Sequence, residues 1–322
     1  MTDLLVKNCL LSKNKDPQDI LIKEGVIKDI ASKITADNIP IIDADFHFVT
    51  PPFVDSHFHM DATLSYGLPR VNKSGTLLEG IKLWGELKPN LTADAIKERA
   101  LKFCRWAIAR GTLAIRSHVD VSGQNLVGVE ALLDVRETMK DFIDIQLVAF
   151  PQDGLLRANC LDNLNTALDM GVDVVGGIPH FERTMEEGHE SIRILCEIAE
   201  KRGLLTDLHC DETDDPMSRH VEKLALETTR LGLKGRVAGS HLTSMHSIDN
   251  YYFTKLISLL VEADLNIIAN PLINITIQGR QDNYPKRRGL TRIPEQLNAG
   301  LKVAFGHDCV MDPWYPLGSH DM

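Results

Sequence analysis

The sequence predicts an α/β protein, a (β/α)8 barrel of the TIM type that follows a small N-terminal β domain. Beyond about residue 50, short runs rich in Val, Ile and Leu alternate with longer amphipathic segments, and eight such runs can be counted. A length of 322 residues suits one barrel of about 250 residues with a small addition. We therefore expect a β domain over residues 1–50 and a barrel over 51–322.

The first fifty residues show the pattern of small β structure. Residues 19–23 and 26–30 are two short strand-like runs, and Glu24-Gly25 between them is typical of a hairpin turn. The pair Pro51-Pro52 marks the end of this segment.

The barrel strands and helices have readable ends. The strands are expected to end near His57, His118, Phe150, Ile178, His209, His241, Ile268 and Phe305. One helix is predicted to begin after Thr92, a typical N-cap residue, and others to stop at Gly111, Gly171, Gly203, Gly232 and Gly300. The eighth strand ends so close to Met322 that we expect the last barrel helix to be missing and the barrel to be C-terminally incomplete.

The composition excludes several classes of function. With 35 basic and 45 acidic side chains the formal net charge is −10, which argues against a nucleic-acid partner. No uncharged apolar run approaches the ~20 residues of a membrane span. The six cysteines form no CxxC pair, so neither a disulfide framework nor a thiolate zinc site is indicated. We expect a cytoplasmic protein without membrane association.

Residues capable of metal chemistry collect at the predicted carboxyl ends of the strands, where barrel enzymes carry their active sites. His57 and His59 are two residues apart on a strand, so both imidazoles face the same side. His209 and Asp308 would complete a set of three nitrogens and one oxygen, which suits Zn²⁺ or Fe²⁺ and leaves room for a water. The sequence therefore predicts one divalent metal ion bound by these four residues.

Three residues are candidates for catalysis, and the first is Asp308 itself, which can accept a proton as the metal-bound water becomes hydroxide. Glu212 lies three residues after His209, where a carboxylate can move protons between a nucleophilic water and a substrate nitrogen. His241 ends the sixth strand, and the residues alone leave it either a metal ligand or a polarising hydrogen-bond donor. His118 and His180 are interpreted as ordinary pocket histidines.

Three residues are candidates for binding substrate. Gln152 follows the third strand, and its amide offers donors and an acceptor together, which matches the mixed edge of a neutral amide-like heterocycle. A loop amide facing water is an equally good interpretation. Trp314 and Phe181 are candidate stacking walls for a ring, although either could belong to the core.

Taken together, these residues resemble the amidohydrolase superfamily and, more narrowly, the bacterial cytosine deaminases. The resemblance runs from about residue 50 to residue 322 and is carried by residues 57–61 (HFHMD), 74–81 (SGTLLEGI), 148–152 (VAFPQ), 174–182 (VVGGIPHFE), 207–212 (DLHCDE), 284–289 (YPKRRG) and 305–308 (FGHD). It implies a metal-dependent barrel hydrolase that acts on free bases, forms homo-oligomers and continues beyond residue 322.

The resemblance also implies roles for individual residues. It makes His57, His59, His209 and Asp308 the ligands of one Fe²⁺ or Zn²⁺, and Glu212 and His241 the residues that transfer protons and orient water. Gln152 would read the carbonyl and ring-nitrogen edge of a pyrimidine. Related enzymes with two metals often carry a lysine at the fourth strand end, and residues 178–181 (IPHF) contain none, which disfavours a binuclear site.

One position departs from the resemblance. Many cytosine deaminases carry a second Asp directly after the ligand Asp, and this sequence has Cys309 there. The resemblance places this position near the pyrimidine 5-position, so a neutral thiol predicts a pocket that accepts a 5-methyl group. The expected reaction is deamination of cytosine or 5-methylcytosine to uracil or thymine, with 5-methylcytosine a good substrate.

Other functions would use the same residues. Isocytosine, isoguanine or creatinine could be the ring that is deaminated, or a cyclic amide could be hydrolysed. A metal-bearing protein that binds a base without turnover belongs to a different class. Glu212 argues against that class, because a pure binding protein needs no residue that shuttles protons.

Overall fold

Two separate sheets organise the chain, and the computed structural model describes residues 3–11 and 16–322 of it. The chain divides into two compact units, Met1–Pro52 and Phe53–Met322. The described residues include no helix that is long and apolar enough to cross a membrane.

The first unit contains a mixed four-stranded sheet. Its strands are β1 (Leu4–Cys9), β2 (Gln18–Lys23), β3 (Val26–Ala31) and β4 (Ile41–Asp43), in the order β3-β2-β1-β4. Strands β2 and β3 form the predicted antiparallel hairpin. Both turn residues, Glu24 and Gly25, have positive φ angles of 52° and 77°, as a tight turn between twisted antiparallel strands requires.

The second unit is built on eight consecutive parallel strands, which confirms the predicted barrel. They are β5 (Phe53–Phe58), β6 (Thr112–Asp120), β7 (Asp144–Phe150), β8 (Val174–Gly177), β9 (Leu205–Cys210), β10 (Val237–His241), β11 (Asn266–Ala269) and β12 (Lys302–Phe305). Each strand pairs with the next one in the sequence, so all the carboxyl ends meet at one rim. The predicted strand ends agree with the observed ones to within two residues.

Helices connect the strands and cover the outer face of the sheet. They are α1 (Leu77–Leu87), α2 (Ala93–Ala109), α3 (Val127–Met139), α4 (Cys160–Asp169), α5 (Met185–Arg202), α6 (His220–Arg230), α7 (Asn250–Glu262), α8 (Pro271–Ile277) and α9 (Ile293–Asn298). Thr92 caps α2 as predicted, because its side chain accepts a hydrogen bond from the N–H of Ala95. The helices contribute fully buried side chains to the core against the sheet, among them Phe103, Leu132, Leu164, Leu195, Leu224 and Leu260.

The first and last strands of the barrel, β5 and β12, do not pair as the other neighbouring strands do. Between residues 16 and 322, no strand ladder joins β12 to β5, and the two sides meet in one bridge between Phe58 and Asp308. There the N–H of Asp308 donates to the carbonyl of His57 at 2.8 Å, and the N–H of His59 donates to the carbonyl of Asp308 at 3.1 Å. We call this junction the seam. Among the described residues after β12, 306–322, there is no helix.

Candidate metal centre

The four predicted ligands converge at the carboxyl-end rim of the barrel. His57 and His59 come from the end of β5, His209 from β9, and Asp308 from the segment after β12. The Nε2 atom of His209 lies 3.1 Å from that of His57 and 3.0 Å from that of His59. Oδ1 of Asp308 lies 3.1 Å and 3.4 Å from the same two atoms. Four ligand atoms from three distant parts of the sequence therefore surround one point.

These distances and charges fit a bound divalent metal. Ligand atoms that each lie about 2.0–2.1 Å from one Zn²⁺ would stand roughly 3 Å or more from one another, as these four atoms do. Burial lowers the pKa of His59 to about 3 and that of His209 far below its ordinary value, so both imidazoles are neutral, as ligands must be. The buried Oδ1 of Asp308 lies against the Nε2 atoms of His57 and His59 and has no other hydrogen-bond partner among the described residues, so it faces the same point as the histidine ligands.

Asp308 is the anionic member of the cluster. Burial by itself raises the pKa of its carboxyl group, but the hydrogen bond from His57 and the nearby His241 outweigh burial and hold the pKa below its ordinary value. Its carboxylate gives the cluster a negative charge that complements a divalent cation.

A chain of polar contacts orients the imidazole of His57 from behind. Its Nδ1 atom lies 3.0 Å from the hydroxyl of Ser240, which donates to Asp207 at 2.6 Å. Arg116 in turn donates to the other oxygen of Asp207 at 2.9 Å. Such contacts fix the ring orientation of a metal ligand and leave its Nε2 atom facing the metal. These polar contacts were not predicted from the sequence, although Asp207 lies two residues before His209 on the same strand.

Glu212 and His241 lie directly beside the cluster. Oε1 of Glu212 is 3.0 Å from Nδ1 of His241, and Nε2 of His241 is 3.9 Å from Oδ1 of Asp308. Burial lowers the pKa of His241, but the two carboxylates outweigh it and raise the pKa to about 9. Asn274 on α8 donates to Oε1 of Glu212 at 3.1 Å, and its amide nitrogen also lies 3.1 Å from Nδ1 of His241. Sequence reasoning gave no signal for Asn274.

The backbone is strained where it presents these side chains. Asp211, His241, Leu242 and Asp308 all have positive φ angles, between 51° and 72°, a region that residues other than glycine seldom occupy. Such conformations cost of order 1–3 kcal/mol each and persist where the surrounding structure imposes them. Two of these four residues, His241 and Asp308, are themselves members of the site, and the other two are their neighbours or follow β9 directly.

A small cavity opens over the cluster. Gln152, Cys309 and Trp314, which the sequence analysis proposed as substrate-binding residues, all line it beside Glu212. The remaining wall is apolar, formed by residues that the sequence analysis did not single out: Leu77, Ile178, Ile273 and Ile277. Such a wall with a few polar groups suits a flat, mostly neutral ring.

Phe181, the other candidate stacking residue, does not line this cavity. It lines an adjoining groove with His180, Thr213 and Arg280, which meets the small cavity at Leu77, Glu212 and Ile277.

Two histidines support the cluster without joining it. The ring of His118 packs 4.1 Å from that of His57, centroid to centroid, and is fully buried. Nδ1 of His180 lies 3.0 Å from the carbonyl of His209. Both positions suit the interpretation of these residues as pocket histidines.

Comparison with known proteins agrees with this geometry. The amidohydrolase family matches residues 40–322. The chain belongs to the amidohydrolase family. The match covers the whole barrel and its metal cluster, so this amidohydrolase is metal-dependent.

Individual relatives refine the likeness. This amidohydrolase is similar to the solved 5-methylcytosine deaminase from Klebsiella pneumoniae liganded with 5-fluorocytosine, at 42% identity and a TM-score of 0.95, over 98% of this chain and 77% of that one. It is 30% identical to a pterin deaminase of Rhizobium rhizogenes, over 94% of this chain and 70% of that protein. It is 29% identical to N-isopropylammelide isopropyl amidohydrolase of Pseudomonas sp., over 99% and 77%. The expected cytosine deaminase-like character is confirmed.

Proposed function

We propose that this amidohydrolase deaminates a free pyrimidine base, 5-methylcytosine or cytosine, by hydrolysis. Water adds at the amine-bearing ring carbon, the bond from that carbon to the amine breaks, and thymine or uracil leaves with ammonia. The observation that carries the proposal is the position of Glu212, which lines the cavity beside the buried three-histidine, one-aspartate cluster.

The ligands of the proposed site are His57, His59, His209 and Asp308, and we propose Fe²⁺ or Zn²⁺ as the ion. Three imidazole nitrogens and one carboxylate oxygen suit these metals, whereas Mg²⁺ and Ca²⁺ prefer oxygen ligands throughout. When bound, such an ion supplies a water that is activated as a nucleophile near neutral pH.

Glu212 is proposed to carry the protons. Asn274 and His241 both contact its Oε1 atom, which holds the carboxyl group in place at the cavity wall. In this position Glu212 can protonate a ring nitrogen of the base and later pass a proton to the leaving amine. His241, whose Nε2 atom lies 3.9 Å from Oδ1 of Asp308, is proposed to stabilise the oxygen that becomes negatively charged during the attack.

The cavity walls support a pyrimidine. Gln152 has an amide that can pair with a carbonyl and a ring nitrogen on one edge of the base. Trp314 offers an aromatic face whose ring centre lies 6.5 Å from that of His59.

Cys309 supports acceptance of a 5-methyl group. Its side chain is buried in an apolar cluster with Ile273, Ile277 and Trp314. Burial raises the pKa of its thiol well above the ordinary value, so the wall is uncharged. Burying one methyl group against such a wall contributes ~0.8 kcal/mol, a factor of about four in binding.

An ammonia-release assay tests the proposal directly. Purified protein loaded with Zn²⁺ or Fe²⁺ is incubated with cytosine, 5-methylcytosine, isocytosine and creatinine. We expect release of ammonia from the first two, with thymine or uracil as the other product. Turnover of isocytosine or creatinine alone would replace the proposed substrate class, and ring opening without ammonia would replace the reaction.

The Glu212→Gln variant tests the proton carrier. The amide keeps the shape of the side chain but holds no transferable proton, so we expect the base to bind and ammonia release to fall at least 1,000-fold. The matched control is Glu227→Gln, because Glu227 only forms ion pairs with Lys223 and Arg230 on α6. Near-normal turnover by Glu212→Gln would contradict the assignment.

The Cys309→Asp variant tests the wall beside the 5-position. A carboxylate there must lose its hydration to admit a methyl group, so we expect the ratio of kcat/KM for 5-methylcytosine over cytosine to fall at least fourfold. Cys309→Ala is the matched control, since it keeps the wall neutral and should keep the ratio. A wild-type preference for cytosine of fivefold or more would contradict a wall that favours a 5-methyl group.

A further inference from the structure

Asp55 accepts hydrogen bonds from three donors at the seam, one on its own strand β5 and two on the segment after β12. This carboxylate on β5 is fully buried. Its Oδ1 atom receives the backbone N–H of His57 at 3.2 Å and the backbone N–H of His307 at 3.0 Å. Its Oδ2 atom lies 2.8 Å from Nε2 of His320. Since Nδ1 of His320 finds no partner among the described residues, the Nε2 atom is the donor.

The first two donors are the backbone N–H groups of a metal ligand and of a residue next to a ligand. His57 is itself a ligand, and His307 directly precedes the ligand Asp308. Asp55 therefore ties the two sides of the seam at the point where ligands from both sides must meet. Elsewhere in the barrel this distance is set by strand ladders, whereas at the level of the ligands the seam has one bridge, at Phe58 and Asp308, and further backbone hydrogen bonds follow only beyond it, from Leu64 to Val310 and from Tyr66 to Met311.

His320 is held firmly in its place. Its ring packs edge-on against Phe103, with centroids 4.7 Å apart, and stacks with the ring of His307 at 5.5 Å. The side chain is fully buried. Gly318 permits the approach of this segment, because its φ of +102° is unfavourable for other residues and a Cβ atom there would stand 2.9 Å from the ring of His307.

A buried carboxylate with too few donors would be costly, and His320 supplies the third donor. Without it, one oxygen of Asp55 would lose its only hydrogen bond among the described residues, and the carboxylate would be free to turn away from the two backbone N–H groups. Beside the ligands, the seam would then depend on its bridge and on the backbone hydrogen bonds that follow it at Val310 and Met311.

We propose that Asp55 and His320 form a latch that holds Asp308 at ligand distance from His57 and His59, and thereby sets the affinity of the protein for its metal ion. Both are positioning residues, since neither contributes a ligand atom. The inference rests on the metal centre of the proposed function and is independent of the substrate.

The latch is tested by metal affinity in place of activity. The Kd for Zn²⁺ is measured by competition with a chromophoric chelator for the wild type, Asp55→Asn, His320→Gln and His320→Phe. Changes to groups that support metal ligands typically weaken binding 10–100-fold, and we expect this range for the two latch variants, Asp55→Asn and His320→Phe. His320→Gln is the conservative variant, because its amide nitrogen can still donate to Asp55, and its Kd should stay closer to that of the wild type. His320→Phe keeps an aromatic ring beside Phe103 but removes the donor, so its metal-free Tm should stay closer to wild type than its Kd.

Hydrogen exchange gives a second measurement, and His189→Gln is the matched control. His189 is half-buried on α5, and its replacement by Gln should leave the Kd for Zn²⁺ within twofold of the wild-type value. In the latch variants the amides of His59 and Asp308, which form the seam bridge, should exchange faster in the metal-free protein. Wild-type Kd values and unchanged exchange of these amides in the latch variants, or a lowered metal-free Tm with unchanged Kd, would overturn the latch. A wild type that binds neither Zn²⁺ nor Fe²⁺ would instead overturn the metal centre.

Discussion

The ligands of the metal centre are held in two different ways. His209 lies on β9, which hydrogen-bonds to β8 on one side and to β10 on the other. Asp308 lies beyond β12 and meets β5 across the seam, through one bridge, the carboxylate of Asp55 and two backbone hydrogen bonds at Val310 and Met311. A ladder distributes positional control over many backbone bonds, whereas the seam concentrates it in a few groups. We therefore expect the seam to be far more sensitive to small substitutions.

Two glycines make this difference concrete. A Cβ atom on Gly306, at the seam, would stand 2.5 Å from Cβ and 2.8 Å from the carbonyl oxygen of His57. A Cβ atom on Gly239, within β10, would meet Leu242 at 3.5 Å, which is ordinary contact. The two strand segments can approach closely at the seam only because residue 306 has no side chain.

The largest expected effect comes from Gly306→Ala. The added methyl group must push the backbone of His57 away from the segment that carries Asp308, so we expect Zn²⁺ binding to weaken at least 100-fold and ammonia release to be lost. The two effects are measured as the Kd for Zn²⁺ and the rate of ammonia release by the purified variant.

Gly239→Ala is the matched control for this substitution on the ladder side. It should leave metal affinity within threefold and stability within about 1 kcal/mol. Equal losses of affinity in both variants would show that seam and ladder do not differ.

An intermediate effect is expected from Asn274→Asp. Asn274 lies on α8, outside the seam, and contacts Glu212 and His241, which are not among the four metal ligands. The isosteric carboxylate can no longer donate to Glu212, so the proton carrier loses its support. We expect kcat to fall 10–100-fold, corresponding to ~1.4–2.7 kcal/mol, with KM and Zn²⁺ affinity near wild type.

Asn163→Asp is the control for the chemical change itself. Asn163 donates to the carbonyls of Val121 and Gly123 and lies outside the cavity lining. Its replacement should lower Tm and leave kcat unchanged. A loss of Zn²⁺ affinity in Asn274→Asp would mean that the ladder side also depends on single side chains.

The smallest effect is expected from Gly80→Ala on α1. A Cβ atom there would stand 2.2 Å from Cδ1 of Trp314, so the indole must move within the cavity wall. Overpacking of this kind costs about 1 kcal/mol or more, and we expect KM to rise about fivefold with metal affinity unchanged.

Gly85→Ala, on the same helix, is the matched control. Among the described residues nothing lies within 4 Å of its added Cβ atom, so KM should not change. A metal affinity that fell in Gly80→Ala would indicate that Trp314 is coupled to the seam.

Much of the fold and the ligand set could be predicted from particular residues. Alternating apolar runs mark the strands because a parallel strand buried on both faces needs them. His57 and His59 were recognisable as a pair because a strand repeats every two residues. The support from Asn274, Ser240 and Asp207 was not predictable, because their partners lie at least 30 residues away and only folding brings them into contact.

The amino-acid sequence alone determined which groups this protein could offer: three imidazoles, a carboxylate just after β12 and a glutamate just after β9. The alternation of strands and helices along the sequence placed each of them at a strand end. Folding decided how those groups are held, with His209 fixed within a ladder and Asp308 fixed across a seam that Gly306, Asp55 and His320 keep closed. The physical reason is range. Strand periodicity acts between neighbours in the sequence, whereas the hydrogen bonds that close a barrel join residues some 250 positions apart.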